Sequence, residues 1–180
     1  MFQTIIVTSS ICIICVIIYI LQMFGLFPIE TFAIMPSKIL DGEVYRLLTG
    51  ILMHGSYYHL LGNLSAFLNI GSFLERYVCF DDRKQYVKIL LGSFIGNSLM
   101  ILQFGRDVYT VGLSGIVFGT LAAYFVYLYR NDNRFDQSEL MQIARMLIPN
   151  IIISLFPGVS WQGHLGGFLG GLVSALIFIK

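Results

Sequence analysis

Gly112-Leu113-Ser114-Gly115-Ile116-Val117-Phe118-Gly119-Thr120-Leu121-Ala122-Ala123 opens an apolar run that carries no charged side chain as far as Tyr129. Gly115, Gly119 and Ala123 recur every four residues and so line one face of a helix, where small side chains let a neighbouring membrane helix approach closely. A matching stripe lies far down the chain at Gly163, Gly167 and Gly171, with Gly166, Gly170 and Ser174 beside it. Helices that face each other through glycines pack with axes about 6 to 8 Å apart, so short side chains reach across the seam. One stripe starts beside Ser114 and the other beside His164. The packing that the glycines predict therefore also brings an alcohol within reach of an imidazole. A serine between glycines at a helix start has an accessible backbone and a helix N-terminus that favours developing negative charge. Ser114 is a candidate nucleophile and His164 its candidate base.

The rest of the chain is as apolar as these two runs. Of its 180 residues 57% are hydrophobic and 12% charged, and the mean hydropathy is +0.80. Soluble domains are roughly half apolar and a quarter charged, so the composition excludes that class. Charge-free runs of the ~17 to 25 residues that a spanning helix needs define six spans. They fall at 4–24, 57–74, 87–104, 113–129, 140–156 and 161–179, the last two divided at Pro157-Gly158. The expected architecture is an all-α integral membrane protein, a single six-helix bundle over residues 1–180.

Basic residues set its orientation. Arg76, Arg83, Lys84 and Lys88 flank the link between spans 2 and 3, Arg130, Arg134 and Arg145 lie between spans 4 and 5, and Lys180 follows span 6. The opposite side holds Lys38, Arg46 and Arg106, so the positive-inside rule places both termini in the cytoplasm. Without a basic n-region or small-residue cleavage site, the first apolar run reads as a retained span and not a removed signal. Cys12, Cys15 and Cys79 have neither disulfide nor metal-ligand spacing and read as small apolar residues.

Between spans 1 and 2, the stretch from Gly25 to Arg46 mixes Phe27, Phe32, Ile34, Met35 and Ile39 with a few charges. Such a segment suits the membrane interface, and Pro28 and Pro36 prevent one long helix. His54, His59 and Asn63 accompany span 2, the last two on one helix face and His54 in the turn before it. Polar groups at this depth face the bundle interior, as interhelical glue, a proton path or catalytic support. Glu75, Arg76, Asp81, Asp82, Arg83 and Lys84 read as a solvated cytoplasmic cluster, and Gly92, Ser93, Gly96 and Asn97 as packing groups on span 3. Asp136-Gln137-Ser138-Glu139 has capping-box spacing for span 5, which Pro149 and Pro157 should make the least rigid wall.

Taken in order, these motifs resemble the rhomboid family of intramembrane serine proteases. The resemblance rests on Glu43-Val44-Tyr45-Arg46, on His54-x4-His59-x3-Asn63, on Glu75-Arg76, on Gly112-x-Ser114-Gly115 and on His164-x2-Gly167-x3-Gly171. It implies a Ser114–His164 dyad without a third acidic member, and an oxyanion hole from the Ser114 N–H and the His54 and Asn63 side chains, with His59 in support. It departs from the family pattern twice: Tyr45 stands where tryptophan is usual, and Phe118, four residues after the nucleophile, where tyrosine is common. The spacing of Phe118 keeps its ring on the Ser114 face while the hydroxyl is lost.

The resemblance further implies a rhomboid-type serine protease that acts on transmembrane protein substrates in the lipid bilayer, without cofactor, metal or nucleic acid. The expected setting is a multi-pass protein of a bacterial cell membrane, its site opening toward the outer face. One alternative keeps the fold but binds membrane helices without cleaving them. Another, a proton-coupled transporter using the span 2 histidines, requires an internal repeat that spans 1 to 3 and 4 to 6 do not display.

Overall fold

The computed structural model describes residues 4–131 and 159–179, together with positions 141, 144, 145, 148 and 152. The capping box at Asp136 to Glu139, Pro149, Pro157 and, apart from those five positions, the expected fifth span lie outside the described residues. Eight α-helices are described: α1 (Ile6–Met23), α2 (Ile29–Phe32), α3 (Pro36–Leu40), α4 (Arg46–Leu52), α5 (Tyr57–Phe73), α6 (Arg83–Phe104), α7 (Ser114–Arg130) and α8 (Trp161–Phe178). A π-helical turn, Leu74–Val78, continues α5. The described residues contain no strand, although Ile34 and Thr110 form an isolated antiparallel bridge.

Local chemistry accounts for the helix boundaries. Ser56, Asp82 and Ser160 cap α5, α6 and α8, each side chain accepting a backbone N–H from the first turn. The Asp82 cap starts α6 at Arg83, four residues before the hydropathy boundary at Val87, because a helix tolerates charges that a bilayer core does not. Gly25, with φ +72°, turns the chain out of α1. Pro36 occupies the first turn of α3, where its missing N–H costs nothing.

The long helices bury their small and polar residues together with part of their large apolar ones, and present the other large apolar side chains outward. On α1 the buried side chains are Thr8, Cys12, Cys15 and Ile18, one stripe of the helix, whereas Ile13, Ile17, Leu91, Ile95, Val173 and Ile177 are each at least half exposed. An apolar exterior around an interior holding Ser93, Asn97, Asn63 and His164 matches a hydrocarbon surrounding. α1 and α6 are long and apolar enough to cross a membrane; α5 and α7, at 17 residues each, are shorter.

α8 packs along both α6 and α7, α5 lies against α7, and α1 against α5. The two glycine rows of α8 serve different partners. Gly167 and Gly171 lie on the backbone of Gly115 and Gly119 in α7, while Gly166 and Gly170 lie on that of Gly96 and Gly92 in α6. A Cβ at any of the four would sit on a carbonyl oxygen of the facing helix. At the far end Arg130 donates to the Leu176 and Ile179 carbonyls, so the last residue of α7 closes the C-terminus of α8.

The charge cluster after span 2 needs correction. Glu75 is 2% exposed, not solvated. Its carboxylate accepts from the Val7 and Thr8 N–H groups at 2.9 Å each and from Thr8 Oγ1 at 2.8 Å, thereby capping α1. The π turn carries Glu75 inward, and Arg83 Nε lies 3.5 Å from Oε1, the oxygen that also accepts the Val7 N–H.

Candidate active site

Ser114 is the first residue of α7, and His164 is in the first turn of α8. The interleaved glycines beneath them place Ser114 Oγ 2.7 Å from His164 Nε2. Phe118, one turn below Ser114, stacks on the imidazole with ring centroids 4.6 Å apart and planes at 15°. Stacking fixes the ring plane, and the serine takes up one ring nitrogen. An oxygen held on an imidazole nitrogen can lose its proton as it attacks a carbonyl. The Ser114 N–H, at the start of a helix, has no intrahelical carbonyl to bond.

Around this pair lie polar groups with spare donors. A Cβ added to Gly112 would come within 2.7 Å of the His59 ring and 3.4 Å of Asn63 Nδ2. Its φ of +123° likewise excludes other residues. His59 and Asn63 therefore meet the chain two residues before Ser114. The His54 ring meets His59 edge-on at 5.1 Å. Both His54 ring nitrogens and Asn63 Nδ2 are buried without a hydrogen-bond partner; the Leu52 backbone lies beside the His54 ring without closing a bond of ordinary geometry. Buried donors left unpaired cost about 1–3 kcal/mol each, and functional sites are where such costs are retained.

The first loop holds the approach to Ser114. Ile34 and Thr110 exchange backbone bonds at 3.0 and 2.8 Å, and the Gly112 N–H donates to the Gly50 carbonyl at 3.0 Å. Gly50 has no room for a side chain against the Ile34 backbone. Arg46, 4% exposed, ties the loop together. It donates to the Glu30 and Ala33 carbonyls at 3.0 and 3.1 Å and pairs with Glu43 at 2.6 Å. The Tyr45 hydroxyl donates to the same carboxylate at 2.9 Å. That hydroxyl first, and Arg46 second, hold the Glu43 carboxyl below its ordinary pKa. The Glu43-Val44-Tyr45-Arg46 motif is thus a fastening some distance from the serine.

Asn97 of α6, expected as a packing group, stands between the stripes, its side chain against both Gly115 and Gly163. Sequence reasoning missed Gln22 of α1, which bonds the backbone of His54 on both sides. It is a strongly polar side chain in an apolar helix, which is the available signal. Among the described residues no three His, Cys, Asp or Glu side chains are grouped to hold a metal.

Comparison with known proteins gives the family of the chain. The rhomboid domain model matches residues 41–180. The chain belongs to the rhomboid family. It is 31% identical over 141 residues to RHOMBOID-like protein 1 of Arabidopsis thaliana, covering 76% of this chain and 35% of the relative. With the rhomboid protease GluP of Bacillus subtilis it shares 32% identity over 144 residues, covering 77% of this chain and 27% of GluP. The inactive RHOMBOID-like protein 8 of Arabidopsis thaliana is 26% identical over 129 residues, covering 71% and 36% of the two chains. This rhomboid thus spans about a third of the length of these relatives. Rhomboids are integral membrane proteins, which accords with the apolar exterior.

Proposed function

We propose that this rhomboid is an intramembrane serine endopeptidase whose nucleophile is Ser114 and whose base, then acid, is His164. The observation that carries the reading is the 2.7 Å contact between Ser114 Oγ and His164 Nε2. With its own proton on Nδ1, His164 takes the serine proton as Oγ attacks the scissile carbonyl carbon. The tetrahedral oxygen accepts hydrogen bonds from the Ser114 N–H and from His54 and Asn63, whose buried ring nitrogens and Nδ2 make no hydrogen bond of ordinary geometry among the described residues. His164 then protonates the departing amine, leaving an ester on Ser114. A water, deprotonated by the same imidazole, attacks that ester and restores the serine.

The substrates are transmembrane segments that move laterally between spans 2 and 5 and unwind near their outer ends, because helical amides are shielded by their own hydrogen bonds. The 180 residues act as one six-span unit with both termini cytoplasmic and the site toward the outer face, as the distribution of Lys and Arg directs. A second reading, binding of membrane helices without cleavage, is favoured by the relative whose name calls it inactive. Purified protein incubated in detergent with a reporter transmembrane substrate decides between them. Two fragments of defined mass, absent with Ser114→Ala, support the protease; an uncut substrate that stays bound supports the second reading.

A further inference from the structure

We infer that Gln22, at the end of α1, is a positioning residue for the reaction and acts through His54. The inference rests on the proposed role of His54 as an oxyanion donor. His54 lies in the irregular connection between Leu52, which ends α4, and Tyr57, which starts α5. A residue in such a connection lacks the helical bonds that would fix its peptide planes. The last backbone bond before it runs from the Met53 N–H to the Gly50 carbonyl, and Gly55 follows it. The Gln22 amide supplies what the connection lacks. Its Nε2 donates to the His54 carbonyl at 3.0 Å, and its Oε1 accepts the His54 N–H at 3.2 Å.

This two-sided grip is the pattern of a neighbouring β-strand, delivered by one side chain. It fixes both peptide planes flanking the His54 Cα and hence the direction of its Cβ. The buried imidazole has its remaining freedom about χ1 and χ2 limited by the edge contact with His59. Gln22 is itself well anchored. Its carbonyl accepts the Gly25 N–H at 3.0 Å in the turn that ends α1, and the Leu26 N–H returns to the Leu21 carbonyl at 2.9 Å. A donor aimed at developing charge must hold its place to a fraction of an ångström, so a support that sets its backbone carries through to the rate. Gln22 precedes residues 41–180, which match the family model, so α1 contributes to the site from outside the matched segment.

The test is steady-state cleavage of a reporter transmembrane substrate by the full chain in detergent. Four proteins are compared: the parent, Gln22→Met, His54→Ala and the double variant. Gln22→Met keeps length and removes both hydrogen bonds. It should lower kcat on the order of ten-fold while KM moves no more than about two-fold, since the lost support matters only as charge develops. In the His54→Ala background the same substitution should add less than about two-fold, because the residue it positions is gone. An unchanged kcat in Gln22→Met, or an equal loss with and without His54, overturns the positioning role. Gln22→Glu, which keeps an acceptor for the His54 N–H but no donor for its carbonyl, carries the same test if Gln22→Met does not fold. A His54→Ala protein that cleaves at the parental rate removes the oxyanion role and this inference together. An impaired His54→Ala beside an unimpaired Gln22→Met removes this inference alone.

Discussion

Replacing Gly167 by alanine adds one methyl group at the point where α8 rests on α7. That Cβ would stand 2.6 Å from the Gly115 carbonyl carbon and 2.9 Å from its Cα, and still nearer the carbonyl oxygen. These are backbone atoms of a buried helix and cannot swing aside as a side chain does. Relieving the carbonyl carbon alone requires the helices to part by roughly 0.8 Å at this level, and the nearer oxygen requires more. His164 lies one turn before Gly167 and Ser114 is next to Gly115, so the 2.7 Å contact opens toward about 3.5 Å, the limit of a hydrogen bond. Misplacement on that scale costs about 10² in rate. The alanine gains about 1 kcal/mol of helix propensity, but overpacking a fitted seam costs about 1–3 kcal/mol, so stability falls slightly while activity falls steeply. The assay is the rate of fluorophosphonate labelling in detergent, read beside thermal unfolding. Labelling of Gly167→Ala at the parental rate with an unchanged midpoint would refute the claim that the glycine seam sets the Ser–His distance.

Other substitutions separate the parts of the site. Asn63→Ala removes a proposed oxyanion donor and should lower kcat by ~10², or on the order of 3 kcal/mol, with little change in KM, measured on the reporter substrate. Glu75→Ala leaves the Val7 and Thr8 N–H groups without their acceptor and should cost about 3 kcal/mol in detergent unfolding, while folded molecules cleave normally. Glu43 has its carboxyl pKa lowered in the folded protein by Tyr45 and Arg46. Its stabilisation is therefore complete above the unfolded carboxyl value and is lost as pH falls through the lower, folded one. Glu43→Gln should flatten the acid side of the stability profile, modestly, since the side chain is 35% exposed. A profile with the parental slope would show that this carboxylate does not anchor the loop.

The parts of the fold legible in the sequence are those written at helical period. Gly115 and Gly119 announce a seam, Gly167 and Gly171 its partner, and Ser114 and His164 mark the same end of it. Phe118 follows from the i,i+4 rule alone. What escaped is carried by contacts with no local signature. The second glycine row of α8, Gly166 and Gly170, was visible as a stripe, but only packing reveals that it belongs to α6. Glu75 reads as one of six charges near a membrane surface, until the π turn directs it at the free N–H groups of α1, almost seventy residues away in the chain. Hydropathy marks where a span can enter hydrocarbon and not where its helix begins, so the cap at Asp82, which starts α6 at Arg83, has no signature in it. The Glu43-Val44-Tyr45-Arg46 motif announced its importance without its task, which depends on where the Glu30 and Ala33 carbonyls come to lie.

The claim on which all of this depends is that Ser114 is activated by His164. Its most direct test is to label the purified protein with a fluorophosphonate and locate the adduct by peptide mass analysis, in the parent and in His164→Ala. The 2.7 Å geometry predicts a single adduct on Ser114 in the parent and its loss in His164→Ala. An adduct on another residue, or undiminished labelling of Ser114 without the imidazole, would contradict it.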